Sequence, residues 1–292
     1  MHLPITYPAL RKYPTALVCL LALLALPVHS AAQQSPPGEL IRIAIQNQLK
    51  DSPTRSRLFS WKERKLRAGI PQVAQIVDTP DGLLSRVLLI NDKPLAGKQR
   101  TEEDERLRKM LDPAQMRRKL KDQQEDDDRT RKMLASIPDA FDFRYLDSST
   151  APNGHKLTRI QFTAHPGFEP PTRESLVFTG MAGEMVIDET AHRLAKIDGT
   201  LFRDVAFGWG ILGRLYKGGR FVVEQSEVTP NHWDTTRMVL RFEGKALFFK
   251  TIHIDDDETS WDFQPVPPMS VQQAMNLLNR GGQSDQNAVA SQ

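Results

Sequence analysis

Residues 181–205 read MAGEMVIDETAHRLAKIDGTLFRDV. Met181, Met185 and Ile187, with Gly183 between them, recur at even spacing, the period of a half-buried β-strand. A second run, 194–205, follows a short polar turn. The same reading extends outward to 143–147, 156–164, 176–188, 220–228, 237–242 and 246–254. Ile160 with Phe162, Phe221 with Val223, and Met238, Leu240 and Phe242 show the alternation. Asn153-Gly154 and Gly218-Gly219 are turn signals. The prolines of 166–171 mark a rigid loop. Further upstream, 58–65, 72–79 and 83–91 read as a three-stranded meander, with Pro80-Asp81-Gly82 as a tight turn. Phe59 and Trp61 share one pleat face there. About ten short antiparallel strands predict an α+β protein built on one large, strongly curved sheet.

Between the two blocks of strands lies an insert over 101–137, dominated by Glu, Asp, Lys, Arg and Gln. Thr101 with Asp104 resembles a helix-capping signal. Leu107 and Leu111, then Met116 and Leu120, are each four apart, and Pro113 separates the pairs. The pattern predicts two helices broken at the proline. A charge-rich run of this kind is a solvated outer face or a partner-docking element. Residues 39–49 fit a helix through Ile41, Ile45 and Leu49, although Ile41, Ile43 and Ile45 also alternate as in a strand. A final helix is expected over 270–279, and a polar, disordered tail over 281–292.

The chain has 292 residues, 39% of them hydrophobic and 26% charged, which excludes a wholly disordered protein. Its formal charge of +3 gives no reason to expect a nucleic-acid partner. Arg11 and Lys12 precede the apolar run 16–28, ALVCLLALLALPV, and small residues follow at Ser30, Ala31 and Ala32. That layout predicts a signal peptide over 1–32, cleaved after Ser30 or Ala32, and a periplasmic mature protein with no stable membrane span. Cleavage removes two of the 39 basic residues and no acid, leaving 37 − 36 = +1. It also removes Cys19, the one cysteine, and with it any disulfide or thiolate chemistry. The remainder, 33–280, reads as one domain.

Gly183-Glu-Met-Val-Ile-Asp188 followed by Leu194 and Lys196, and Asn231-His-Trp233 leading into Met238-Val-Leu-Arg-Phe242, resemble a pattern of the periplasmic lipoprotein-carrier-like superfamily, which includes the outer-membrane lipoprotein-sorting proteins. Trp61-Lys-Glu-Arg64, the charged insert, 137–143, the loop 166–171 and Gly218-Gly-Arg-Phe221 resemble an uncharacterised family of secreted bacterial proteins. The resemblance implies a half-open barrel with helices on its concave face, where the carriers hold acyl chains. The long charged insert departs from the carrier pattern.

Catalytic signals are weak. Residues 208–213, GWGILG, match the letters of a dinucleotide fingerprint, but Gly218-Gly219 would cut the helix that pyrophosphate binding needs. His253 and Asp255 share a strand face ahead of Asp256, Asp257 and Glu258, a hard-ligand set without the spacing of a calcium loop. No cysteine survives export and no G-x-S-x-G occurs. No catalytic residue, metal or cofactor is therefore assigned. Phe59, Trp61, Phe178, Met185, Phe221, Leu240 and Phe242 are expected on the concave side, as the lining of an apolar ligand cavity or as a filled core. The expected function is a non-enzymatic binding protein for a lipid, lipoprotein or other apolar ligand. The alternative is an envelope interaction or sensor protein acting on a protein partner through the charged insert.

Overall fold

A computed structural model describes residues 35–51, 58–67, 69–208, 213–246 and 250–290. The expected signal peptide and its cleavage positions lie outside the described residues. Helix α1 (Pro37–Asp51) leads into the meander β1 (Leu58–Arg67), β2 (Ile70–Thr79), β3 (Gly82–Ile90) and the short β4 (Lys93–Pro94). Two helices follow, α2 (Gly97–Lys109) and α3 (Pro113–Ala140). Then come β5 (Phe141–Thr150), β6 (Lys156–Ala164), a 3₁₀ helix (Glu174–Gly180), β7 (Met181–Asp188) and β8 (Arg193–Leu201). The short β9 (Val205–Phe207) and β10 (Gly213–Leu215) precede β11 (Arg220–Thr229), β12 (His232–Ala246), β13 (Lys250–Val266) and α4 (Val271–Ala290).

All thirteen strands belong to one antiparallel sheet in the order β4-β3-β2-β1-β13-β12-β11-β8-β7-β6-β5, with β10 and β9 attached beside β12. Its two ends do not pair, so the fold is an open α+β sheet. Helix α3 shows how far that sheet bends. Leu120 of α3 lies against Gly82 of β3, and Ala140 at the other end of α3 runs directly into β5. Twenty helical residues span about 30 Å at 1.5 Å per residue. The nine strand spacings from β3 to β5 would cover roughly 43 Å if the sheet were flat. The sheet must bow, and α3 is the chord across its concave side.

Burial explains why α1 is a helix and not a strand. Ile41, Ala44 and Ile45 are 0–2% exposed while Ile43 is 37% exposed, a division that a 3.6-residue period produces and a two-residue period does not. These residues join Ile137 and Ala140 of α3 over Ile160, Phe162, Met185, Ile187 and Ile197 of the sheet. A second core unites Leu107, Met116, Ala274, Met275 and Leu278 with Val77 and Leu84. Strand register puts Val77 and Leu84 on the opposite, convex face. Helix α4 therefore covers the other side of the β2–β3 end, where Arg86 reaches Asn279 at 2.6 Å. Helix α4 also continues through residues 281–290, where a disordered tail was expected.

The insert divides at Pro113 as expected: Asp112 caps α3 by accepting from the Ala114 N–H at 2.9 Å, and proline takes the first helical position. The Thr101 capping signal is not used, since α2 begins four residues earlier. Nor are the charges merely solvated. Along β3, the Leu83 N–H donates to Gln123 and the Leu83 carbonyl accepts from Lys119; the Ser85 carbonyl accepts from Arg106 and the Val87 N–H donates to Glu103. Four side chains of the insert thus stand in for the missing neighbour along the part of β3 that β4 does not reach, whose bare backbone would otherwise be an aggregation hazard. Burial, with Arg106 nearby, lowers the Lys119 ammonium below its usual range.

Candidate functional site

Register alone decides which residues share the concave face. Trp61 pairs with Ile76 and Lys65 with Glu258. Glu258 lies opposite Met238, Asp256 opposite Leu240 and Ile254 opposite Phe242. Leu240 faces Phe221, which faces Gly199; Val223 faces Ile197, Ile197 faces Met185 and Met185 faces Ile160. Six of the seven expected lining residues, Phe59, Trp61, Met185, Phe221, Leu240 and Phe242, lie on this one face.

The seventh is a correction. Phe178 lies on the 3₁₀ helix, not on a strand, and β7 begins only at Met181. At 4% exposed, Phe178 packs on Phe141 with ring centroids 5.2 Å apart. Thr172 and Ser175 hydrogen-bond each other's backbone and hydroxyl groups, and this local network competes with a ladder at that point.

The face has two parts. At the β5–β8 end, Met185 is 0% exposed beneath α1 and α3, and Phe242 of β12, 8% exposed and set against Gly219, joins the same core. The central strands differ. Helix α1 packs on β5, β7 and β8, α3 on β3 and β5, and α4 on β2, β3 and β4. Among the described residues, no helix packs extensively on the contiguous strands β1, β13, β12 and β11. Trp61, Phe221, Val223, Met238, Leu240 and Ile254 are half-buried on the floor of a trough that they share with Asp256 and Glu258, and Phe221, Val223, Leu240 and Ile254 pack against the edge of the sealed core. Two aromatic stacks close its β1 side. The Phe59 ring lies 4.0 Å from His232 at 11°, and Trp61 lies 5.9 Å from Phe263 at 10°.

Above the trough, α3 is anchored at both ends and exposed in the middle. Met116, Ile137 and Ala140 are buried, and Arg131 donates to the Leu49 carbonyl of α1. Residues 124–130 are exposed throughout. A helix polar on every side is stable as a bridge between packed ends.

Toward β3 the same face becomes charged. A groove of about 380 Å³ opens between the sheet and α2, with Ala74, Ile76, Val87 and Leu95 on its walls and Glu63, Lys65, Glu102, Glu103 and Arg106 around them. Lys65 meets Glu258 at 2.8 Å. Burial opposes its charge, but the hydrogen bond to Glu258 and the charges of Glu258, Asp256 and Glu63 outweigh it and raise the ammonium above the usual lysine range.

The remaining sequence candidates resolve differently. Residues 209–212 lie outside the described residues, but their flanks β9 and β10 pair antiparallel, Phe207 opposite Gly213. That is a hairpin and not the strand–helix turn of a dinucleotide site. The acidic run at 255–258 is no strand end: β13 continues to Val266 and pairs on both sides. Asp255 and Asp257 meet Arg241 and Arg237 across β12, and His253 meets Glu243. Among the described residues, no three His, Cys, Asp or Glu side chains converge as a metal would require. The hairpin 183–196 forms as expected, its buried Asp188 accepting from the Ala191 N–H and pairing with His155 at 2.7 Å. Comparison of the chain with protein-family models, curated proteins and solved structures finds no match.

Proposed function

We propose that the protein is an exported, periplasmic, non-enzymatic carrier that holds the apolar part of a lipid or lipoprotein in the trough of its curved sheet. One observation carries this reading: among the described residues no helix packs extensively on four contiguous strands, whose concave face presents Trp61, Phe221, Val223, Met238, Leu240 and Ile254 half-buried, with Asp256 and Glu258 among them, beneath a helix anchored at its ends. A folded core has little reason to leave such a strip uncovered, and a concave apolar strip is the general form of a small-molecule site. Each methylene moved from water onto the strip contributes roughly 0.8 kcal/mol. The signal-peptide pattern supplies the compartment, and the resemblance to the lipoprotein carriers points the same way. The exposed charged span of α3 supports the competing reading, a docking site for an envelope protein.

The test is binding of an apolar naphthylamine probe to the mature protein, followed by fluorescence. Leu240→Asp places a carboxylate on the trough floor at a half-buried position and should weaken binding about tenfold or more while the far-UV spectrum is kept. Unchanged affinity in a folded Leu240→Asp protein would dismiss the trough and favour the docking reading. Phe242 is unsuitable for this purpose, because it is packed in the sealed core.

A further inference from the structure

The two ends of the sheet are finished differently. At one end, β4 and four side chains of the insert cover β3. At the other end the strand order stops at β5, and among the described residues no strand pairs with its outer edge. Phe143 packs on the core from the concave side, while residues 146–150 are exposed throughout, Leu146 at 36%. An edge ten residues long offers a row of backbone donors and acceptors to an incoming strand. The charges of β5 indicate which strand. Arg144 donates to the neutral amide oxygen of Gln161 at 2.7 Å and, among the described residues, has no ion pair. Asp147 meets Arg159 at 2.8 Å, but Glu184 meets the same guanidinium at 2.8 Å, so two carboxylates share one cation. Asp142, the third charged residue of the strand, is held by His165 at 2.8 Å. Arg144 lies opposite Gln161 and Asp147 opposite Arg159, two apart on β6, so the bulge at Leu146 brings Arg144 and Asp147 onto one face, the convex one.

We infer that β5 pairs with β5 of a second copy of this chain, antiparallel across a two-fold axis that passes between Tyr145 and Leu146. In that register Phe141 lies opposite Thr150 of the second copy, and all ten residues of the strand are used. Arg144 of each copy lies opposite Asp147 of the other, on the same face, and the two-fold makes the ion pair twice. The uncompensated cation thus meets the carboxylate that has only a share of Arg159. Sliding one strand by two residues would set Asp142 opposite Asp147, like charge against like, and lose both attractions. Leu146 falls beside the axis, so the exposed apolar side chain of the strand ends next to its own copy. The two sheets become one, and both troughs open to the same side of it. The inference stands independently of the carrier reading.

The experiment is sedimentation velocity on the mature protein over a range of concentrations, with hydrogen exchange followed at the β5 amides. The unmodified protein should pass from monomer to dimer as its concentration rises, and amides within 142–149 should gain protection in step. Arg144→Asp or Asp147→Arg alone sets like charges opposite each other at two places and should weaken the dimer about tenfold or more. The two substitutions together put opposite charges back and should restore it. Circular dichroism confirms that each variant is folded. A monomer at every concentration, or a dimer that leaves the β5 amides unprotected, would overturn the inference. So would a dimer indifferent to both single substitutions, or a folded double variant that associates no better than either single one.

Discussion

Glu103 tests whether the charged insert is structural. Its side chain is 7% exposed, accepts from the Val87 N–H at 2.7 Å, and meets Arg106 through both nitrogen contacts at 2.7 Å. Glu103→Ala removes a charge-assisted bond to a backbone donor on an edge strand, worth about 1.5–3 kcal/mol. It also frees Arg106, 37% exposed, whose pairing adds roughly 0.5–1 kcal/mol after solvent screening. The expected loss is about 2–4 kcal/mol, a large share of the 5–15 kcal/mol typical of a domain. One residue away, Glu102 is 61% exposed and meets Lys98 at 3.6 Å, so Glu102→Ala should cost no more than about 0.5 kcal/mol. Urea unfolding followed by circular dichroism, with midpoints compared at constant slope, measures both. Hydrogen exchange at the Val87 amide locates the effect. The Glu103 protein should also scatter more light as its concentration rises, since an uncapped strand edge invites pairing between chains. Equal costs at 102 and 103, with unchanged protection of Val87, would refute the edge-capping account and return the insert to a solvated face.

Two further outcomes follow from the fold. A Cβ built on Gly183 would lie 1.9 Å from the Asp198 carbonyl oxygen, a backbone atom that cannot swing aside, so Gly183→Ala should destabilise by about 3 kcal/mol or more, measured by the thermal midpoint. Burial opposes the charge of Glu189, yet hydrogen bonds from Lys156 and Thr158 hold its carboxyl below the usual range. Its contribution is therefore present above the ordinary carboxylate range and fades as pH falls through the depressed folded value. The stability gap between the unmodified protein and Glu189→Gln should close in acid, and a gap that widens would contradict the assignment.

The legible part of this protein was local. Alternation at Ile160 and Phe162 or at Met238, Leu240 and Phe242 announced strands, because side chains on a pleat must take opposite faces. Asn153-Gly154 and Pro80-Asp81-Gly82 announced their turns, and Gly154 and Gly82 have the positive φ that such turns favour. Six of the seven residues expected on the concave side share one face, but alternation showed only which residues of a strand go together; the register between strands decided the face. Phe178 was misplaced, because a run of apolar residues does not distinguish a strand from a 3₁₀ turn stabilised by Thr172 and Ser175. The second half of β13 was invisible for a related reason. Asp255 to Glu258 has no apolar stripe, and it becomes a central strand only because Arg241, Arg237 and Lys65 arrive from its neighbours.

By itself the sequence determined the antiparallel, α+β character, the break of the insert at Pro113 and the periodicities that group the residues of each strand by face. Each of these depends on neighbours a few positions away. Only the tertiary structure decided that β1 pairs with β13, joining two blocks nearly two hundred residues apart into one sheet, with Lys65 against Glu258. That pairing makes one sheet under α3, in which, among the described residues, four central strands have no helix packed extensively on them and the charged insert caps the exposed part of β3. Backbone pairing of this kind is specified by complementarity between distant strands and carries no local periodic signal, so it is settled only where the chain folds back on itself.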